Sequence, residues 1–282
     1  MNYLIADSGS TKTQWSMVRS SRDAEECHTT GINPVYLSET DILNVLEREF
    51  PIAYTDIEKI WFYGAGCAFP EKNACVQSAL SSYFRCKKVE IASDLMGAAR
   101  ALCGCRPGIV GILGTGSNSC YYDGKTIVSN VAPLGFILGD EGSGADLGKK
   151  LVAGLLKGIL PAEIKELFFA ETQTSYAGII ESVYSRPLPN RYLAGFTSFI
   201  RQHIDLPEIE QIVLEAFDSF IRRNILQYRQ ILETEISFTG SIACIFKKQL
   251  EQQLKKYGLK SGMFMQAPLC GLKEYHKREM TF

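Results

Sequence analysis

The chain has 282 residues, 46% of them hydrophobic, which is too long for one small core and too apolar for a disordered chain, so two packed domains are expected. Thirty Lys and Arg against 31 Asp and Glu leave a formal charge of −1, which supplies no field to gather a polyanion and removes nucleic acid from the expected partners. Nine scattered cysteines fit a reduced, cytoplasmic setting better than a disulfide scaffold, and no uncharged run approaches the roughly 20 apolar residues that span a bilayer.

In chain order, residues 3–6 form a short apolar run. Asp7-Ser8-Gly9-Ser10-Thr11-Lys12-Thr13 is a small polar turn, and residues 14–18 alternate polar and apolar with the period of a half-buried strand. A helix is expected around 41–50, a strand at 59–63, a helix at 71–84 and a strand at 88–92, an alternation that predicts α/β layering. Cys105-Arg106-Pro107-Gly108 is the best candidate for a hinge, dividing the chain into domains 1–106 and 107–282, with the final segment a candidate to pack back on the first. The opening grammar then returns as strand 109–113, Gly114-Thr115-Gly116-Ser117-Asn118, and strand 119–122 with a turn at Asp123-Gly124. Two similar hairpins predict two similar domains. Beyond Gly139 the texture becomes helical, with a helix expected at 145–160. Ile209, Ile212, Val213, Ala216, Phe217, Phe220 and Ile221 follow at helical spacing before a strand at 236–238.

The glycine-containing loops raise the question of nucleotide binding. Gly114-Thr115-Gly116-Ser117-Asn118 lacks the third glycine of a dinucleotide fingerprint and is followed by a strand where that fold needs a helix, and no P-loop motif occurs. What remains is a pair of hairpin loops whose backbone N–H groups and hydroxyls can face a phosphate chain, or which are ordinary turns. Asp7, at the end of the first strand, suits Mg²⁺, directly or through water, or an Asx turn. Lys12 adds charge near a phosphate or is simply solvated. Asp94 stands where a strand gives way to an Ala-rich helix and can serve as a general base or as the helix cap; position alone favours the cap. Asp140 and Glu141 can hold ligand hydroxyls or favour a helix N-terminus. In Thr239-Gly240-Ser241 the glycine lets a flat ring approach the backbone, or marks a plain turn. The histidines at 28, 203 and 276 have no zinc-like spacing.

Taken together and in this order, these motifs, with Gly139-Asp140-Glu141-Gly142-Ser143, resemble the N-acetylglucosamine kinases. More broadly they resemble the ATPase family that includes benzoyl-CoA reductase activators, within the sugar kinase, actin and heat-shock chaperone superfamily. The resemblance covers nearly the whole chain. It implies an α/β fold of two RNase H-like (actin-like ATPase) domains with ATP in the cleft between them. The implied activity is ATP-dependent phosphorylation of an N-acetylated amino sugar, N-acetylglucosamine to its 6-phosphate. Carried over by position, Asp7 holds Mg²⁺, and Asp7, Ser10, Thr11, Lys12, Thr115 and Gly116 line the ATP phosphates, with Gly240 at the adenosine. Asp94 becomes the catalytic base, reversing the preference that position gave. Asn33, in Thr30-Gly31-Ile32-Asn33-Pro34, matches the sugar-binding asparagine, and Ser117, Asn118, Pro133, Leu134, Gly135 and Asp140 face the sugar beside Asp94. Gly64-Ala65-Gly66 resembles the interdomain connection.

Three departures stand out. Ser8 and Ser10 occupy positions where the family usually has glycine. Ala132-Pro133-Leu134-Gly135-Phe136-Ile137-Leu138 replaces a common Gly-Gly-Trp-Gly sequence, and the chain is short for the family. They leave open an N-acetylmuramic acid kinase, an ATPase activator of an iron–sulfur reductase, which would need two exposed cysteines at a dimer interface, and a non-catalytic sugar sensor. The expected partners are the small-molecule amino sugar and a second copy of the chain in a homodimer, without nucleic acid or membrane.

Overall fold

The structure is a computed structural model that describes residues 2–279 apart from Ser10, Ser20, Ser21, Tyr54, Thr55 and Phe69. The chain divides into two compact units. The first comprises Met1–Arg106, Gly124–Thr126 and Ala267–Phe282, and the second Pro107–Asp123 and Ile127–Gln266.

The first unit opens with β1 (Tyr3–Ser8), β2 (Lys12–Arg19), β3 (Arg22–Thr30), α1 (Glu39–Glu49), β4 (Lys59–Gly64), α2 (Pro70–Phe84), β5 (Val89–Ser93) and α3 (Asp94–Cys103). Its sheet runs β3-β2-β1-β4-β5. The first three strands form an antiparallel meander, and β4 and β5 run parallel to β1. Side chains alternate across this sheet with period two. Leu4, Ala6, Ile60 and Phe62 pack with Ile42 and Leu46 of α1 and Val76, Ala79 and Leu80 of α2. Tyr3, Ile5, Trp61 and Tyr63 face the opposite layer with Leu269 and Leu272. Covering both faces explains why β1 and β4 read as unbroken apolar runs. Trp15, fully buried on β2, anchors the first face, its ring 5.5 Å from Phe50, 6.0 Å from Phe84 and 6.1 Å from Phe62. Helix α1 starts on a capping box in which Ser38 and Asp41 satisfy each other's backbone N–H groups.

The second unit continues with β6 (Gly108–Leu113), β7 (Ser117–Tyr122), β8 (Ile127–Val131), α4 (Gly135–Leu138), α5 (Gly144–Leu156), α6 (Ala162–Thr172), α7 (Tyr176–Tyr184), α8 (Pro189–Gly195), α9 (Thr197–Gln202) and α10 (Pro207–Arg223). It closes with β9 (Ile236–Thr239), α11 (Ser241–Ile245), α12 (Lys247–Lys256) and β10 (Ser261–Met265). Its sheet, β8-β7-β6-β9-β10, repeats the first strand for strand: an antiparallel meander of three followed by two parallel strands. The apolar stripe of α10 is buried along its whole length. Helix α5 stops at Leu156 and not at residue 160, because the chain turns at Gly158, whose φ of +68° lies outside the helical region.

The last helix, α13 (Leu269–Glu279), belongs to the first unit and packs on α3 and β1. A Cβ on Gly271 would come within 2.5 Å of the Ala101 carbonyl oxygen, so α13 and α3 meet backbone to backbone. His276 is fully buried there, stacked on Trp61 at 3.9 Å and hydrogen-bonded to the Tyr63 hydroxyl at 2.7 Å. Among the described residues no helix is long and apolar enough to cross a membrane.

Candidate active site

The register of the first sheet gathers the candidate residues of that unit at one edge. Ser8 pairs with Gly64 and Gly64 with Ser93, so β1, β4 and β5 end level with one another. Lys12 starts β2 opposite Thr30, the last residue of β3. Asp7, Thr11, Lys12, the segment leading to Asn33, and Asp94 therefore share the carboxyl-end edge, where open α/β sheets bind ligands. Ser10 lies outside the described residues.

Asp94 does not cap α3. Ser93 is the N-cap, its hydroxyl accepting the Met96 N–H at 3.2 Å, a role that a serine just before a helix signals in the sequence. Asp94 Oδ1 accepts the Leu95 N–H at 2.8 Å. Burial raises the Asp94 carboxyl above its ordinary range, against the opposing effect of backbone N–H groups. Burial likewise pushes Asp7 up to about 7, the Asp94 charge adding to it and Lys12 opposing. No described residue donates a hydrogen bond to the Asp7 carboxylate. Two mutually repelling carboxylates, one without donors, are a hard-oxygen set suited to a divalent cation. Among the described residues no three His, Cys, Asp or Glu gather into a complete metal cage, so the donors present fit Mg²⁺ held by one or two carboxylates with phosphate and water completing the shell.

Thr11 and Lys12 are exposed on the first loop. Their carbonyls accept from Gly31 N at 3.1 Å and Gly9 N at 3.0 Å. Asn33 is buried, and its Oδ1 accepts the Val35 N–H at 2.9 Å. Because that N–H only donates, the other end of the amide is the donor Nδ2. Gly66, at φ +83°, abuts the same Oδ1, and a Cβ there would overlap it. Gly64-Ala65-Gly66 thus ends β4 inside the first unit and supports Asn33; it does not join domains.

In the second unit the loop between β6 and β7 is a tight turn, closed by Gly114 N to Gly116 O at 2.9 Å. Its carbonyls serve the start of α5: Gly144 N donates to Gly114 O at 2.8 Å and Ala145 N to Thr115 O at 3.1 Å, satisfying helix donors that would otherwise be orphaned. Asp140, at φ +55°, accepts the Ser117 N–H through Oδ1 at 3.0 Å. Burial pushes its carboxyl up to about 6, with the Ser117 N–H pulling it down. Asn118 Oδ1 accepts from Asn130 Nδ2 at 2.9 Å. The segment around Pro133, Leu134 and Gly135 is closed at its base by Asp140 N to Pro133 O at 3.0 Å, and Leu134, Ile137 and Leu138 project from it, 61%, 75% and 73% exposed. Gly240, at φ +113°, backs onto the Leu113 carbonyl. Thr115, Gly116, Ser117 and Asp140 are therefore brought together, with Gly240 directly behind the loop.

No family model matches the chain, and no curated protein does. The solved structure of a candidate N-acetylglucosamine kinase from Porphyromonas gingivalis is 45% identical, over 97% of this chain and 98% of that one, with a TM-score of 0.93. The chain belongs to this N-acetylglucosamine kinase-like family. A second candidate N-acetylglucosamine kinase, from Chromobacterium violaceum, matches 93% of this chain and 94% of its own at 16% identity and a TM-score of 0.71. MreB 5 of Spiroplasma citri, bound to AMPPNP, matches 99% and 97% at 11% identity and 0.59. At those identities the likeness concerns the fold, and the fold is that of the actin-like ATPases: the two sheets of identical strand order are its paired RNase H-like domains.

Proposed function

We propose that the protein is an ATP-dependent kinase of an N-acetylated amino sugar, converting N-acetylglucosamine to its 6-phosphate. The observation that supports this most is Asp94, a carboxylate relieved of helix capping by Ser93 and standing on the same sheet edge as Asp7 and Asn33. In the proposed reaction Asp94 accepts the proton of the sugar hydroxyl as its oxygen bonds to the γ-phosphorus and the bond to ADP breaks. A carboxyl raised toward neutrality is better matched to that proton. Asn33 Nδ2 donates to the sugar, with Ser117, Asn118, Asp140 and the 133–135 segment as further contacts. Ser10, Thr11, Lys12, Thr115 and Gly116 orient the phosphates, and the loop at Gly240 is assigned to the adenosine, so that rate comes mainly from positioning and charge neutralisation. Asp7 is the residue assigned to Mg²⁺, which when bound neutralises phosphate charge. The proposed setting is the cytoplasm, where nine free cysteines stay reduced, and the proposed assembly is a homodimer.

One observation favours a second substrate. Lys149 donates to the Phe136 carbonyl at 3.1 Å, placing a cation beside the segment that departs from the family, where the lactyl carboxylate of N-acetylmuramic acid would need one. A coupled ADP-release screen over free and N-acetylated hexoses, including N-acetylmuramic acid, tests both readings. N-acetylglucosamine-dependent release is expected, and no release with any sugar contradicts the proposal.

A further inference from the structure

Ser8 replaces a glycine usual in the family, yet it does not face a ligand. Its side chain is fully buried, and its Oγ lies 2.9 Å from the Ile32 carbonyl oxygen, to which it donates, 2.9 Å from the Ile32 N–H, which it accepts, and 2.7 Å from Thr13 Oγ1. Thr13, also fully buried, accepts the same Ile32 N–H at 3.2 Å and, the Ser8 hydrogen being on the Ile32 carbonyl, donates its own to Ser8 Oγ, its oxygen lying 3.2 Å from the Thr30 carbonyl. Two hydroxyls from β1 and β2, on either side of the first loop, thus hold both backbone groups of the residue that precedes Asn33. Beyond it the 33–37 turn is self-supporting: the Asn33 carbonyl accepts from Tyr36 N and Leu37 N at 3.0 Å each, and Gly66 abuts the Asn33 amide. Among the described residues the hydroxyl pair is the side-chain hydrogen bonding that ties this turn to the strand carrying Asp7, beside the packing of Ile32 in the core that holds Leu4 and Ala6 and the Gly31 N–H bond to the Thr11 carbonyl. A glycine at position 8 would leave Ile32 with Thr13 alone.

We propose that Ser8 is a positioning residue for the sugar, orienting Asn33 Nδ2 through Ile32, with Thr13 as its partner. The inference rests on the reading of Asn33 as a sugar contact. Its mechanism is preorganisation: a turn already held in its binding geometry loses less freedom when the sugar arrives.

The test is calorimetric binding of N-acetylglucosamine and, separately, of AMPPNP with Mg²⁺ to the full chain and to Ser8→Ala, Ser8→Gly, Thr13→Val and Thr13→Ser. Hydrogen exchange of the 30–37 segment is measured alongside. Loss of either hydroxyl is expected to weaken sugar binding about tenfold, the size of one buried hydrogen bond. AMPPNP affinity stays within about twofold, since the phosphate contacts are untouched. The 30–37 amides exchange faster, and Thr13→Ser, which keeps the hydroxyl, binds like the wild type. Sugar affinity unchanged in a folded Ser8→Ala protein overturns the inference, as does an equal loss for sugar and nucleotide. A wild-type protein that binds no amino sugar instead overturns the kinase reading on which it rests, so the two failures are distinct.

Discussion

The carboxylate of Asp140 lies against Gly116. Its Oδ1 accepts the Ser117 N–H at 3.0 Å, and a Cβ built on Gly116 would meet Oδ2 at 3.0 Å. The turn between β6 and β7 thus rests on one carboxylate held at a positive φ, a conformation that aspartate tolerates better than most residues. Any side chain at position 116 would press on that support.

This geometry makes the second unit pH-sensitive with a definite sign. The Asp140 carboxyl is raised from 3.8 to about 6, so between about pH 4 and 6 the folded chain holds a proton that the unfolded chain has released. Its contribution is fully present below pH 4 and is lost as pH rises through 6. Asp140→Asn keeps an acceptor for Ser117 but does not titrate. Urea unfolding at pH 4.5 and 7 is expected to show the variant gaining on the wild type by about 2 kcal/mol across that interval. A difference independent of pH contradicts this.

Gly240 sits at φ +113° with its α-carbon turned toward the Leu113 carbonyl. The obstacle is backbone in a central strand, which cannot step aside, and the φ itself is closed to L side chains. Gly240→Ala is expected to destabilise the chain by about 3 kcal/mol or more, read as a fall in the denaturation midpoint. An unchanged midpoint means that the backbone relaxes there.

The buried chain from Arg100 to the Tyr63 hydroxyl (2.8 Å) and on to His276 (2.7 Å) fastens α13 to the strand and helix beside Asp94. His276→Ala removes both the hydrogen bond and the Trp61 stack and is expected to cost about 3 kcal/mol. Tyr63→Phe keeps the ring against Gly97 and is expected to cost about 1 to 2 kcal/mol. Thermal unfolding separates the two. Equal losses would show that the hydroxyl alone matters.

What the sequence revealed of the fold follows burial. Strands covered on one or both faces, β1, β2, β4, β6 and β9, carry the alternation or apolar run that periodicity detects. The strands that escaped it are edges. Arg22–Thr30 bears Asp23, Glu25, Glu26 and His28, Ile127–Val131 is mostly exposed, and no residue of Ser261–Met265 is fully buried. Edge strands carry polar residues that deter pairing with other chains, and so lose the signal. At the site, the motif residues were legible one by one, but their supports were not. That Ser8 reaches Ile32 and that Gly66 shelters Asn33 depend on contacts between residues up to 33 positions apart, which local pattern does not encode.

The proposed function turns on Asp94 as the base for the sugar hydroxyl. The measurement that tests it most directly is N-acetylglucosamine-dependent ADP release by the wild type and Asp94→Asn at saturating ATP and Mg²⁺, with sugar binding followed by calorimetry. Turnover is expected to fall by about a hundredfold or more while sugar affinity changes little, since the amide keeps the shape of the carboxyl but cannot take the proton. An Asp94→Asn protein that turns over at a near-wild-type rate contradicts the account.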